Sequence, residues 1–267
     1  MTKHLPFIKL LRSPISGYFY DVGKNEIIRV DDKVYDYLQR LLQGKETQVD
    51  CETLAIVDML KERKYLSEVR PTIIEHSYTH YLQLFLDRKI EKITLQLTQQ
   101  CNFRCKYCVY SENKNLKQRV HTSKRMTWKL AKKAIDFLWD HSVDSPRVNI
   151  GFYGGEPLLE FELMKKTVEY AKLRFKGKPI SFTTTINGSL LTEKVAEFFV
   201  TNNISTLISL DGPKEIHDIN RLFKDGSGTY DTVISNIRSI CEKYPEYSKT
   251  FQISMVMDPV NDFDCIN

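Results

Sequence analysis

The chain has 267 residues, 42% hydrophobic and 27% charged, which excludes fibrous and wholly disordered proteins and leaves room for one large domain with a small companion. Its net charge of +5 is spread over interleaved acids and bases and indicates no nucleic-acid partner. No apolar run approaches the roughly 20 residues of a membrane span, and the amino terminus MTKHLPFIKLLRSP lacks a cleavage site. A cytoplasmic protein with no membrane partner is expected.

Between residues 7 and 30 apolar and polar residues alternate around Ser13-Pro14, Gly17 and a Gly23-Lys24-Asn25 turn, predicting two or three short strands in hairpins. Asp31 and Asp32 then cap a helical pattern with Val34, Tyr37, Leu38, Leu41 and Leu42 on one face, and Gly44 stops it. Asp50 starts a second helix whose expected apolar face is Leu54, Val57, Met59 and Leu60. The outline over residues 1–75 is a small winged-helix-like α+β module, and the polar run after Pro71 leads into an expected linker at 76–90.

From residue 91 onward strand, loop and helix repeat. Strands are predicted at 93–97, 148–152, 180–185, 204–210 and 251–257. Helices are predicted at about 127–141 and 160–174, with others capped by Thr192 and Thr229. This alternation implies a parallel sheet with right-handed crossovers, a barrel or part of one, with five βα units begun. The Lys-rich stretch 114–124 is expected to be a solvated loop.

Three of six cysteines, Cys101, Cys105 and Cys108, lie together in CNFRCKYC just after the first of these strands, while Cys51, Cys241 and Cys265 are scattered. A cluster plus strays, in a chain without a signal segment, reads as metal ligation. A structural zinc site takes four ligands, whereas a four-iron cluster on three thiolates keeps one iron open. His121 and His141 could complete a zinc set, though neither has a familiar offset. Cys241 reads as a buried free thiol and Cys265 as a terminal stray.

With Tyr107 just before its last cysteine, this CxxxCxxC loop resembles the signature of radical S-adenosylmethionine (SAM) enzymes. The resemblance implies a partial (β/α)6 barrel over residues 91–267. It also implies a [4Fe-4S] cluster on the three thiolates whose open iron chelates SAM, and an electron from a reductant such as flavodoxin or ferredoxin. Reductive cleavage of SAM then yields a 5'-deoxyadenosyl radical that abstracts a substrate hydrogen.

Further segments resemble the family's in order. Gly154-Gly155-Glu156-Pro157 is similar to its GGEP turn, which implies that the backbone and the Glu156 carboxylate receive the SAM ammonium; two glycines permit close backbone approach and an acid complements a cation. An ordinary βα turn with a helix-capping Glu is the alternative. Asn187-Gly188 resembles the turn bordering the cofactor pocket and is also a common turn dipeptide. The run SLDGPKEIHDINR resembles a subgroup containing anaerobic sulfatase maturases and peptide maturases. By that resemblance Ser209 touches SAM, Asp211 is catalytic near the substrate, and Arg221 pairs with a carboxylate. His217 and Asp218 read as capping and packing residues. Val256 on the fifth strand is a candidate adenine wall or a plain core residue.

The family's barrel normally has six βα units, and many relatives in the subgroup continue into a cysteine-rich extension called SPASM or twitch. The sequence therefore reads as a copy truncated at its carboxy terminus. The amino-terminal module resembles the leader-peptide recognition domain of radical SAM maturases, with residues 27–30 and the helix 33–42 as the candidate groove. Small wings also bind DNA or merely pack, but Asp31, Asp32 and Asp36 at the helix head disfavour phosphate. Together these resemblances imply a maturase that crosslinks a leader-bearing, Cys-rich precursor peptide through a thioether. The alternatives are a sulfatase-maturase-like formylglycine-generating enzyme, or a non-catalytic leader-binding or iron–sulfur protein.

Overall fold

The computed structural model describes residues 5–45, 49–108, 110 and 121–258. The chain divides into two units, 1–79 and 80–267.

In the first unit the alternation of GYFYD turns Phe19 and Asp21 inward and leaves Tyr18 and Tyr20 half-buried. Strand β2 (Gly17–Asp21) pairs antiparallel with β1 (Ile8–Arg12) and β3 (Glu26–Val30), which form the two sheet edges. Helix α1 (Asp32–Leu42) starts where the Asp31 carboxylate accepts from the Val34 N–H at 2.8 Å, and Gly44 follows it at φ +71°. Helix α2 (Cys51–Glu62) is capped likewise by Asp50, which accepts from the Thr53 N–H at 2.8 Å. Phe19, Val34, Leu38 and Val57 are fully buried in this unit's own core. The expected face of α2 needs correction: Thr53, Val57 and Leu60 point inward, whereas Leu54 and Met59 are each 41% exposed. Only a narrow stripe at spacings of four and three meets the core, so apolar residues beside it stay outside.

The second unit begins with α3 (Leu82–Arg88), inside the stretch expected to be a linker. No side-chain cap marks its start and no residue in it is buried, so no amphipathic stripe announced it. Arg88 docks it by a two-pronged pair with Asp144 at 2.8 and 3.0 Å. There follow β4 (Lys92–Thr98), α4 (Trp128–His141), β5 (Val148–Gly154), α5 (Phe161–Arg174), β6 (Ile180–Ile186), α6 (Glu193–Thr201) and β7 (Ile204–Ser209). After β7 come α7 (Lys214–Asn220), α8 (Tyr230–Lys243), the short α9 (Pro245–Ser248) and β8 (Gln252–Ser254). The five strands are parallel and lie in sequence order, an open partial barrel with β4 and β8 at its edges. The fifth strand has three residues, not the expected seven, because it pairs only with residues 207–209 of β7.

The two faces of this sheet differ. Leu95, Leu97, Ile150, Phe152, Phe182, Ile186, Ile204 and Ile208 are at most 4% exposed and form the core with the helices. The alternate residues Thr94, Gln96, Tyr153, Thr183, Thr185 and Ser209 are polar and only partly covered. A parallel sheet buried on both sides reads as a continuous apolar run. Here one face is left polar, lining a lumen rather than a second helix layer. Among the described residues no helix is long and apolar enough to cross a membrane.

Candidate active site

Loops at the carboxyl ends of the strands enclose a cavity of about 390 Å³. Cys101, Cys105 and Cys108 all line it, together with Tyr107, Gly154, Gly155, Asn187, Ser209, Arg221 and Val256. The three cysteines are free thiols. Burial pushes the Cys101 thiol up to about 12 and the Cys105 thiol up to about 11, with neighbouring thiols adding to both effects. Such thiols hold their protons at neutral pH and give them up to a metal. Among the described residues no three His, Cys, Asp or Glu side chains stand close enough to hold a single metal ion. Thiols spread around one cavity instead suit an iron–sulfur cluster, whose irons are ligated one by one. The donor set and the space therefore fit the cluster that the sequence implies. His121 also lines the cavity, whereas His141 stacks on Phe137 and bonds the Leu86 carbonyl, away from the thiols.

The glycine turn after β5 holds the cysteine loop in place. A Cβ on Gly154 would lie 2.4 Å from the Thr98 carbonyl oxygen, and one on Gly155 would lie 2.1 Å from that of Gln100. The missing side chains let the Gly155 N–H donate to Thr98 O and the Glu156 N–H to Gln100 O, each at 2.9 Å. The close approach is thus between the turn and the segment leading into Cys101. Glu156 itself does not line the cavity. It is fully buried, and its two carboxylate oxygens accept from the backbone N–H groups of Leu158 (3.0 Å) and Asn187 (2.7 Å). In this structure the carboxylate latches the β5 turn to the β6 turn, where the resemblance implied a contact with the SAM ammonium. Burial raises its pKa to about 7 against the pull of the two N–H groups.

Asn187 reaches the cysteine loop, donating from Nδ2 to Asn102 Oδ1 at 2.8 Å and lying 3.9 Å from the Cys101 sulfur. Its Oδ1 accepts from the Ser189 hydroxyl at 2.7 Å.

Asp211, which the resemblance places near the substrate, lies outside the cavity lining. β7 ends at Ser209, and Asp211 is 1% exposed. Arg221 donates to it from Nε at 2.8 Å and from Nη2 at 3.0 Å, the Val256 N–H donates at 3.0 Å, and the Tyr107 hydroxyl donates to Oδ2. Burial opposes its charge, yet these donors hold its pKa below the ordinary carboxylate value. The carboxylate that Arg221 pairs with is therefore one of the chain's own, and the guanidinium also lies over the Tyr107 ring, 5.4 Å from its centroid. His217, fully buried, accepts the Asp211 N–H on Nδ1 at 3.2 Å and meets the Thr229 hydroxyl through Nε2 at 2.9 Å. Asp218 accepts the Thr229 and Tyr230 N–H groups at 2.8 and 2.9 Å and so caps α8.

The sequence reading missed several cavity residues: Phe103, Tyr110, Tyr153, Thr185, Leu207 and Ser254. Thr185, Leu207 and Ser254 were discoverable as the partly covered, alternate positions of their strands. Most of the Lys-rich stretch, 114–120, and Cys265 lie outside the described residues.

The model of the radical SAM superfamily matches residues 95–266. The chain is 39% identical over 145 residues to an uncharacterized protein of Methanocaldococcus jannaschii, covering 54% of this chain and 46% of that one. It is 33% identical over 165 residues to the serine-type anaerobic sulfatase-maturating enzyme of Bacteroides thetaiotaomicron, covering 61% and 38%. The structure of native anSMEcpe with bound AdoMet and the Cp18Cys peptide aligns with a TM-score of 0.55 and 24% identity, over 67% of this chain and 46% of that one. The chain spans less than half the length of each of these proteins.

Proposed function

The chain belongs to the radical SAM superfamily, and from that membership we propose that it modifies a peptide, holding a [4Fe-4S] cluster on Cys101, Cys105 and Cys108 with SAM in the adjoining cavity. When bound, these groups supply a 5'-deoxyadenosyl radical for hydrogen abstraction. The residues' own work is to hold and shield. The glycine turn, the Glu156 latch and the Asp211 hub fix the cysteine loop from three sides, while the half-polar lumen face of the sheet receives cofactor and substrate. The observation that carries the reading is three free thiols around one cavity at the carboxyl end of a parallel sheet.

Iron and sulfide analysis after anaerobic reconstitution tests it. One four-iron cluster per chain is expected in the wild type and none when all three cysteines are Ala, with SAM cleavage by a chemical reductant lost in parallel. Zinc in place of iron would refute the assignment.

A peptide substrate is supported by the related fold of anSMEcpe, which holds both AdoMet and a peptide. The preferred product is a thioether or related crosslink in a leader-bearing precursor peptide, because the first unit offers a place for a leader. Its edge strand β3 borders a groove of about 260 Å³ whose opposite wall is α2 and the residue that ends it, through Ile56, Met59, Leu60 and the C-cap Arg63. Of the helix expected to form that wall, only Val34 takes part. An added strand on β3 would seat alternate side chains there. Formylglycine formation is the second reading, favoured by the 33% identity to a sulfatase-maturating enzyme. Mass spectrometry of co-expressed peptides separates them: loss of two hydrogens per crosslink supports the first, and conversion of a Cys or Ser side chain to an aldehyde supports the second.

A further inference from the structure

From the end of α7 onward, residues 220–223 run antiparallel beside the cysteine loop. The Arg104 N–H donates to Leu222 O at 2.7 Å and the Lys106 N–H to Asn220 O at 3.0 Å, while Phe103 bridges Phe223, their ring centroids 5.2 Å apart and edge to face. In this register Cys105 stands opposite Arg221, and residues opposite each other in an antiparallel pair carry their side chains on one face. Arg221 is extended there, with φ −96° and ψ 93°. It lines the cavity together with the three cysteines, and among the described lining residues it is the only Lys, Arg, Asp or Glu. The Asp211 carboxylate that pairs with it does not line that cavity. The ion pair thus has its positive end toward the thiols and its negative end behind.

Burial drives the rise of the Cys105 thiol; the Arg221 charge pulls against it and outweighs the push of Asp211. A buried ion pair rarely stabilises a fold more than apolar residues of the same volume, so stability alone does not account for this one. A charge beside an iron–sulfur cluster sets its potential, because one-electron reduction adds a negative charge that a nearby cation favours. We propose that Arg221, set opposite Cys105 by the paired backbones, raises the reduction potential of the cluster held on the three thiols, and that Asp211 behind it limits the rise. This rests on the radical SAM reading of the cavity. The electron comes from an external low-potential donor, and a raised potential eases its transfer to the cluster.

The test uses the full chain, reconstituted anaerobically as wild type, Arg221→Met, Arg221→Lys, Asp211→Asn and the double variant carrying Arg221→Met with Asp211→Asn. Redox titration without SAM, followed by electron paramagnetic resonance of the reduced cluster, gives each midpoint potential, and iron and sulfide content confirms equal loading. Arg221→Met should lower the midpoint by about a tenfold change in the reduced-to-oxidised ratio at fixed potential, about 59 mV for one electron. Asp211→Asn should raise it, and Arg221→Lys, which keeps the charge, should stay near the wild type. Loss of a structural prop moves both charge-removing single variants the same way, so opposite signs mark an effect of charge. The double variant leaves no unpaired buried charge and serves where a single variant fails to load; its midpoint should lie below that of the wild type, because the cation is the nearer charge. Shifts of one sign in Arg221→Met and Asp211→Asn, or a double variant at or above the wild-type midpoint, overturn the proposal. A wild type that assembles no four-iron cluster refutes the radical SAM reading itself, whereas a cluster indifferent to these charges refutes only the role given to Arg221.

Discussion

Asp211 and Glu156 are both carboxylates whose oxygens are engaged by the fold. Asp211 and Arg221 are a buried pair, with side chains 2% and 8% exposed. Asp211→Asn keeps the shape and leaves the guanidinium without a counter-charge, which should cost about 3 kcal/mol or more. Tyr107→Phe removes one hydrogen bond and should cost about 1 kcal/mol. Urea denaturation followed by circular dichroism compares them, and a loss in Asp211→Asn no larger than in Tyr107→Phe would contradict the hub. For Glu156 the sign is the reverse of the usual acid. Its folded pKa of about 7 lies above the ordinary 4.5, so the native state binds the proton more tightly than the unfolded chain. Stability from this group is full below about pH 4.5 and is lost as pH rises toward 7, by an amount on the order of 3 kcal/mol. Wild-type stability should therefore fall from pH 5 to 7.5 by more than that of Glu156→Gln, which cannot titrate. Parallel profiles would show that Glu156 is ionised throughout.

At the scale of elements, the contact between the β5 turn and the entry to the cysteine loop is the most exacting in the site. Gly155→Ala must push the two backbones apart, since its Cβ would sit 2.1 Å from Gln100 O. Iron content after reconstitution should drop sharply. Gly177→Ala is the control: that glycine has φ +90° with nothing within 4 Å, so the change costs only local strain of about 1 kcal/mol and leaves iron content intact. Motif reading locates both turns but assigns Glu156 to the cavity, because spacing along the chain says nothing of which way a side chain points after a glycine turn. The strands tell a similar story. Their number and order were readable from alternation with helices, while the three-residue length of β8 depends on how much of β7 lies opposite it.

Over the whole molecule, each unit has its own buried core, around Phe19 and Leu38 in the first and around Leu97, Phe152 and Ile208 in the second. Residues 71–80 between them are all exposed. Limited digestion with the glutamate-specific protease Glu-C should therefore cut at Glu75 and yield a resistant piece beginning at residue 76; persistent protection of Glu75 would show that the run is packed.

Patterns that depend only on neighbours along the chain were legible directly. They include the caps at Asp31 and Asp50, the alternation that makes five parallel strands, and the spacing that gathers Cys101, Cys105 and Cys108; Thr192 and Thr229, expected as caps, hold the N-cap positions of α6 and α8 without a side-chain capping bond, and at α8 the distant Asp218 accepts those N–H groups instead. The capping atoms, the strand period and the three thiols are local properties, so no distant residue is needed to specify them. Which carboxylates face the cavity, which helix walls the groove beside β3, and where His121 lies were settled by the fold. Each of these depends on a partner far along the chain, such as Asn187 for Glu156, Tyr107 for Asp211, α2 for β3 and Gln99 for His121. Burial and hydrogen-bond satisfaction select these pairings only once the chain has folded.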